Sequence, residues 1–208
     1  MFDLFRKTLL GAAATLALVA AKADATTYNF TGANGPSSAS IDFAPNLTAT
    51  AGASGILNGG TPLVTQNVAG LGVNGSPDLN PGNIDGAPIF SSEWIEFSFD
   101  WAVRLVSVTF GNVDNNDQYD IAFDFGSGFG AYTNGILVAS NNPSVFGINI
   151  VGFRVRASGT FIADGLLGND DFTIARIETA SVPLPAGGLL LIGALGGLAA
   201  LRRRRTVA

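Results

Sequence analysis

Residues 93–100 read Glu93-Trp94-Ile95-Glu96-Phe97-Ser98-Phe99-Asp100 and alternate between apolar and polar from Ile95 onward. In an extended chain a period of two puts Ile95, Phe97 and Phe99 on one face and Glu96, Ser98 and Asp100 on the other, the pattern of a half-buried β-strand. The same parity gives Trp94 the polar face. Tyr119 to Phe125 repeats the pattern, with Ile121, Phe123 and Phe125 expected inward and Asp120 and Asp124 outward. Val151 to Ala157 alternates as well, with Arg154 and Arg156 on the solvent face. Between Leu105 and Val106, and again between Ile174 and Ala175, the parity slips, and each slip predicts a bulge or a strand covered on both faces. Thr27 to Thr31, Ser40 to Phe43 and Ile136 to Ala139 are further strand candidates.

Between the chain ends no long 3.6-residue period occurs, and Gly, Asn, Asp and Pro separate the short strands. The expected fold class is therefore all-β, an antiparallel β-sandwich or jelly roll. Ala44 to Pro88 is rich in Gly, Asn, Pro, Ser and Thr, so long loops are expected there, with Gly70-Leu71-Gly72-Val73 as the clearest strand candidate.

Both ends carry targeting features. Arg6 and Lys7 precede an apolar run from Thr8 to Ala21, and Ala23-Asp24-Ala25 supplies the small-x-small pattern that a signal peptidase cuts. Residues 1–25 thus read as a signal peptide helix, with Ala21-Lys22-Ala23 as a second cleavage option. At the other end Leu184 to Leu201 holds no charge, and as a helix it would span roughly 27 Å, close to the thickness of the bilayer hydrocarbon. Arg202, Arg203, Arg204 and Arg205 follow directly, and such a cluster stays cytoplasmic and stops transfer. A single C-terminal transmembrane helix with its C-terminus inside is expected. Gly193 and Gly197 form a small-xxx-small pair along it.

The order of export signal, exported domain, Val182-Pro183-Leu184-Pro185-Ala186, glycine-rich span and terminal arginines resembles the PEP-CTERM class of bacterial sorting signals, in its VPLPA-CTERM variant. The resemblance covers residues 182–208. It implies that Val182 to Ala186 is recognised and processed by an exosortase, an integral-membrane transpeptidase-like enzyme of Gram-negative bacteria that also make exopolysaccharide. Leu184 stands where the commoner pattern has Glu, which implies a subclass of sorting enzyme. The implied route is an inner-membrane intermediate, then the cell surface or extracellular matrix. A plain single-span anchor behind a Pro-rich stalk is the alternative, with Pro183 and Pro185 serving only to stop the last strand.

Residues 26–181 are then one domain of ordinary size. Of the chain's 16 acidic residues all but Asp3 and Asp24 fall in it, against only Arg104, Arg154, Arg156 and Arg176, a net charge of −10. A surface this acidic repels phosphate backbones, so nucleic acid is excluded as a partner. The chain has no Cys and no His, which removes disulfides, thiolate and imidazole metal sites, cysteine nucleophiles and Ser-His-Asp triads.

Three chemistries survive. Asp114, Asn116, Asp117 and Asp120 present oxygen donors at short spacing, the hard set that calcium takes, although Asx-rich turns also satisfy their own backbone. Gly168-Asn169-Asp170-Asp171 is a second such turn. Trp94, Trp101, Tyr119 and Tyr132 are aromatic faces on which sugar rings can stack, or else core. Glu93 or Glu96 with an Asp is the pair a carboxylate glycosidase would need. The sequons at Asn46 and Asn74 are chance occurrences in an Asn-rich exported bacterial chain. The expected function is a non-enzymatic envelope or exopolysaccharide-matrix protein with no cofactor beyond calcium, and a surface glycosidase is the competing class.

Overall fold

A computed structural model describes residues 24–54, 60–75, 81–87, 91–158 and 170–182. Of these, Ala25–Ser181 belong to one compact unit. The described residues form strands and turns with no helix: β1 (Ala25–Asn29), β2 (Ser37–Ser38), β3 (Ser40–Phe43), β4 (Leu47–Ser54), β5 (Leu63–Asn67), β6 (Gly70–Asn74), β7 (Ile84–Ala87), β8 (Ser91–Gly111), β9 (Gln118–Asp124), β10 (Thr133–Leu137), β11 (Ser144–Ala157) and β12 (Asp171–Ser181). Every strand pair is antiparallel, so the chain is all-β with an open antiparallel sheet. Of the expected signal peptide, residues 1–23 lie outside the described residues, whereas Ala25 is the first residue of β1; Pro183 to Ala186, the expected span from Leu184 to Leu201 and Arg202 to Arg205 also lie outside them. Among the described residues no helix is long and apolar enough to cross a membrane.

The alternating stretch that begins at Glu93 and the one that ends at Phe110 are a single strand of 21 residues, β8. Its first half pairs with β4, from Ser92 opposite Ser54 to Phe99 opposite Leu47. On its other edge it pairs with β11, from Trp94 opposite Arg156 to Ser98 opposite Gly152. The β11 register then jumps, because Ile150 faces Val103 while Gly152 faces Ser98. Phe99, Asp100, Trp101 and Ala102 therefore stand opposite Val151 alone, and β8 turns a corner there. After the corner it pairs with β12 from Val103 to Gly111. One half of β8 belongs to the array β3-β4-β8-β11-β9-β10, and the other to β11-β8-β12, which continues through β6, β5 and β2, with β1 on β12.

Core side chains come from both halves. Ile95, Phe97 and Phe99 point inward as the alternation requires, and Phe97 is fully buried. Its ring stacks on Phe153 at 4.8 Å and on Phe30 at 6.3 Å, and Phe30 meets Phe43 edge-on at 4.9 Å. Past the corner Phe110 contacts Tyr119 at 4.6 Å and Phe172 at 5.2 Å. These separations are those of attractive aromatic pairs, which add to the burial of large apolar area.

Both parity slips coincide with bulges. Ile174 faces Phe110 and Arg176 faces Thr109, leaving Ala175 unopposed, while Glu178 faces Ser107 and Thr179 faces Leu105, leaving Val106 unopposed. An extra residue flips the parity after it. Ser107 and Val108 are consequently both buried.

Several expectations need correction. Among the described residues of Ala44 to Pro88, where long loops are expected around the one strand candidate Gly70 to Val73, β4, β5 and β7 stand beside β6, which is that candidate. Leu47 and Ala49 are buried and alternate with Thr48 and Thr50, a pattern muted by small residues whose strand preference depends on the partner they pack against. Gly72 shows why a small residue is needed in β6: a Cβ there would lie 1.9 Å from the carbonyl oxygen of Gly82. Phe125 is not inward but 65% exposed, since β9 ends at Asp124. Asp120, expected outward, is buried, held by Arg156 and by the backbone of β10 at Gly135. β10 itself begins three residues earlier than expected, at Thr133.

Phe97→Ala is expected to destabilise the domain by about 3–5 kcal/mol, the range for truncating a fully buried aromatic, read from the urea midpoint at unchanged m-value. Gly72→Ala should cost about 2 kcal/mol or more, because the clash is with backbone and cannot be relieved by rotating a side chain.

Candidate functional site

On β8 the residues facing away from the core are Trp94, Glu96 and Ser98. Register places Gly52 of β4 beside Trp94 and Thr50 beside Glu96. It places Arg156 and Arg154 of β11 on their other side, followed by Asp120 and Ala122 of β9. Two neighbouring rows result: Gly52-Trp94-Arg156-Asp120 and Thr50-Glu96-Arg154-Ala122. Side chains directly opposite on antiparallel strands are in contact range, so arginine, carboxylate and aromatic groups are forced together.

The charges close on one another. Arg154 Nη2 lies 2.7 Å from Glu96 Oε2. Arg156 donates from Nε at 2.9 Å and approaches with Nη2 at 2.8 Å the same Asp120 Oδ2, while Gly135 N donates to Asp120 Oδ1 at 2.8 Å. Burial lowers the pKa of the Arg154 guanidinium, but hydrogen bonds to Glu96 and Tyr132 outweigh it, so the net shift is upward and the charge is permanent.

Aromatic rings surround these pairs. The Arg154 guanidinium carbon sits 4.4 Å from the Phe129 ring centre and 5.6 Å from that of Trp94, and that of Arg156 sits 4.1 Å from Tyr132. Such distances are those of cation–π contacts. Trp94 lies against β4, where a Cβ on Gly52 would come within 2.1 Å of the indole, so glycine makes room for the ring. Phe129 and Tyr132 arrive from the segment after β9. Asp124 Oδ1 shapes that segment by accepting hydrogen bonds from Gly126 N at 2.7 Å and Gly128 N at 2.9 Å, and both glycines have positive φ.

Of the four aromatic residues singled out in the sequence, Trp94 and Tyr132 belong to this face. Trp101 stands at the β8 corner, 54% exposed, with parity opposite to Trp94. Tyr119 is core and offers no stacking surface: it is 1% exposed and its hydroxyl donates to Ser144 Oγ at 2.7 Å. Sequence reasoning missed Phe129, Arg154, Arg156 and Glu96 as one constellation. Alternation put the last three on outward faces, whereas Phe129 lies in a glycine-rich turn with no period to mark it.

The acidic residues proposed for calcium are divided. Asp117, 1% exposed, accepts from Asp114 N at 2.6 Å through Oδ2 and from Asp171 N at 3.2 Å through Oδ1. Asp114 Oδ1 accepts from Asn116 N at 3.1 Å. Asp120 points elsewhere, engaged by Arg156, so Asp114, Asn116, Asp117 and Asp120 do not form one donor set. Among the described residues no three acidic side chains are arranged to hold a metal ion. Asp170 joins the same structural knot, its Oδ1 accepting from Gln118 N at 3.1 Å. These carboxylates tie the start of β12 to the turn before β9. Glu93 and Glu96, each considered with an Asp as a carboxylate pair, lie on opposite faces of β8: Glu93 is fully buried with Oε2 accepting from Asp85 N, and Glu96 is paired with Arg154.

No family model matches the chain, and neither a curated protein nor a solved structure does.

Burial first, then repulsion from Asp114 and Asp171, raises the Asp117 carboxyl to about 6 against two opposing backbone hydrogen bonds. With the folded value above the unfolded one, the folded state binds more protons between about pH 4 and 6. Stability from this group is complete below that window and is lost as pH rises through it, by on the order of 3 kcal/mol at about 1.4 kcal/mol per unit. Asp117→Asn, which does not titrate, should therefore gain stability relative to the native chain as pH rises from 4 to 6.5. Urea unfolding at a series of pH values measures this, and a pH-independent difference between the two proteins would refute it.

Proposed function

We propose that this chain is an exported, non-enzymatic envelope or extracellular-matrix protein whose C-terminal segment is the substrate of an exosortase-type sorting enzyme. One observation carries the reading: β12 ends at Ser181, and Val182, the first residue of the Val-Pro-Leu-Pro-Ala motif, follows it directly. Proline lacks an N–H to donate, so Pro183 and Pro185 cannot continue the ladder, and the motif begins where the folded unit stops. The apolar span then holds the motif at the membrane and Arg202 to Arg205 retain the C-terminus inside. Signal peptidase acts at the other end, at Ala23 or Ala25.

The domain so delivered is, in this reading, a jelly-roll-like sandwich, the two halves of β8 contributing to facing layers. Its role is to bind or fill the exopolysaccharide matrix. The pairing of Glu96 and Asp120 with arginines supports a binding scaffold over a glycosidase, which needs one free carboxylic acid and one free carboxylate across the bond to be cut.

With Pro183 and Pro185 both replaced by Ala, the exported protein is expected to keep the mass of the unprocessed tail and to stay in the membrane fraction, whereas the native chain is shortened and moves to the surface. Intact-mass spectrometry of fractionated cells reads both. Identical masses and locations for the two would leave a simple membrane anchor.

A further inference from the structure

We propose that the outer face built by Trp94, Glu96, Arg154, Arg156, Phe129 and Tyr132 is a binding site for a neutral hexopyranose polymer. The site lies in the folded domain and is independent of the sorting tail.

Three observations lead there. The face is part-exposed, and among the described residues no further layer covers it: Trp94, Phe129 and Tyr132 are partly exposed, and the side chains of Arg154, Glu96 and Arg156 are 27%, 30% and 36% exposed. Its arginines are already neutralised by Glu96 and Asp120. An anionic ligand would have to break these pairs and then dock on a domain of net charge −10. An uncharged ligand needs neither step. Finally, the groups present are those that recognise a ring bearing vicinal hydroxyls. Flat aromatic faces accept the apolar C–H side of a pyranose, while planar guanidinium and carboxylate groups offer paired donors and acceptors to neighbouring hydroxyls.

The constellation is also held rigid in advance. Gly52 lets Trp94 lie against the sheet, Asp124 fixes the turn that carries Phe129, and Arg154 is fixed by Glu96 and by two rings. A sugar therefore orders little on binding, which preserves affinity that would otherwise be lost to entropy. Thr50, beside Glu96, and Ser98, two residues on, extend the face with hydroxyls.

The chain has two tryptophans, so Trp101→Phe leaves Trp94 as the sole indole reporter. The full-length Trp101→Phe protein, in a zwitterionic detergent without a sugar headgroup, is titrated with dextran, mannan and galactan, and with alginate as the anionic comparison. The expected result is a saturable change in Trp94 emission with at least one neutral polymer, unaltered between 50 and 500 mM salt, and at least tenfold weaker binding of alginate. Phe129→Ala and Tyr132→Ala should each weaken binding of that neutral polymer at least fivefold. Arg154→Lys, which keeps the charge and loses the planar fork, should do the same. Circular dichroism melts confirm that the variants fold, and the titration of the unaltered face decides the matter even if one does not. No saturable response to any of the three neutral polymers overturns the proposal. So does alginate binding of equal strength, or a response that Phe129→Ala and Tyr132→Ala both leave unchanged.

Discussion

Strand β8 has to present an apolar row to the core while pairing with four strands, β4, β7, β11 and β12, and the rest of the structure is arranged around that constraint. Ile95, Phe97 and Phe99 meet it before the corner, Val103 and Leu105 after it. Phe97 is the point of closest engagement, with Phe153 from β11 on one side and Phe30 from the end of β1 on the other. Because β4 and β12 pair with different halves of β8, the corner from Phe99 to Ala102 lets one strand belong to both parts of the fold. The bulges at Val106 and Ala175 are adjustments to the same demand. Each inserts one residue so that the apolar row stays inward although strand register has drifted.

An acidic domain without histidine or lysine has few ways to neutralise its carboxylates, and this one uses the backbone. Asp117, Asp114, Asp124 and Asp170 all accept main-chain N–H groups, which shapes the turns before and after β9 and the start of β12. Carboxylates of this kind act as turn-formers first. The arginines are reserved: of the four in the domain, Arg154 and Arg156 stand two residues apart on β11 and are spent on a single face. Bringing these cations and half-exposed rings together on one surface of the sheet gives cross-strand ion pairs and cation–π contacts, each worth on the order of 1 kcal/mol or less.

The two ends of the chain and its middle then form a consistent proposal. Export and sorting signals deliver a rigid, cysteine-free domain to a place rich in polysaccharide, and the domain carries a face whose chemistry suits uncharged sugar. In that proposal chemistry is done to the tail, and recognition is done by the sheet.

Much of the fold was legible in advance because β-structure writes its period into the residues that carry it. Ile95-Glu96-Phe97-Ser98-Phe99 could be read directly, and the slips at Leu105–Val106 and Ile174–Ala175 marked bulges that the register bears out. Where residues are small the period fades, so β4 and β7 could not be seen: Gly52 is required by the Trp94 ring that lies against it, which is tertiary information. The aromatic residues divided by parity: Trp94 shares the outward face of Glu96 and Ser98, as the alternation already indicated, and Tyr119 shares the inward row of Ile121. By itself the sequence determined the all-β class and the inward rows of β8 and β11, because these depend on local period and composition. Only the tertiary structure decided that Asp120 would turn to Arg156 instead of to Asp117, and that Trp94, Arg154 and Phe129 would meet, because those choices depend on cross-strand register between segments distant in the chain.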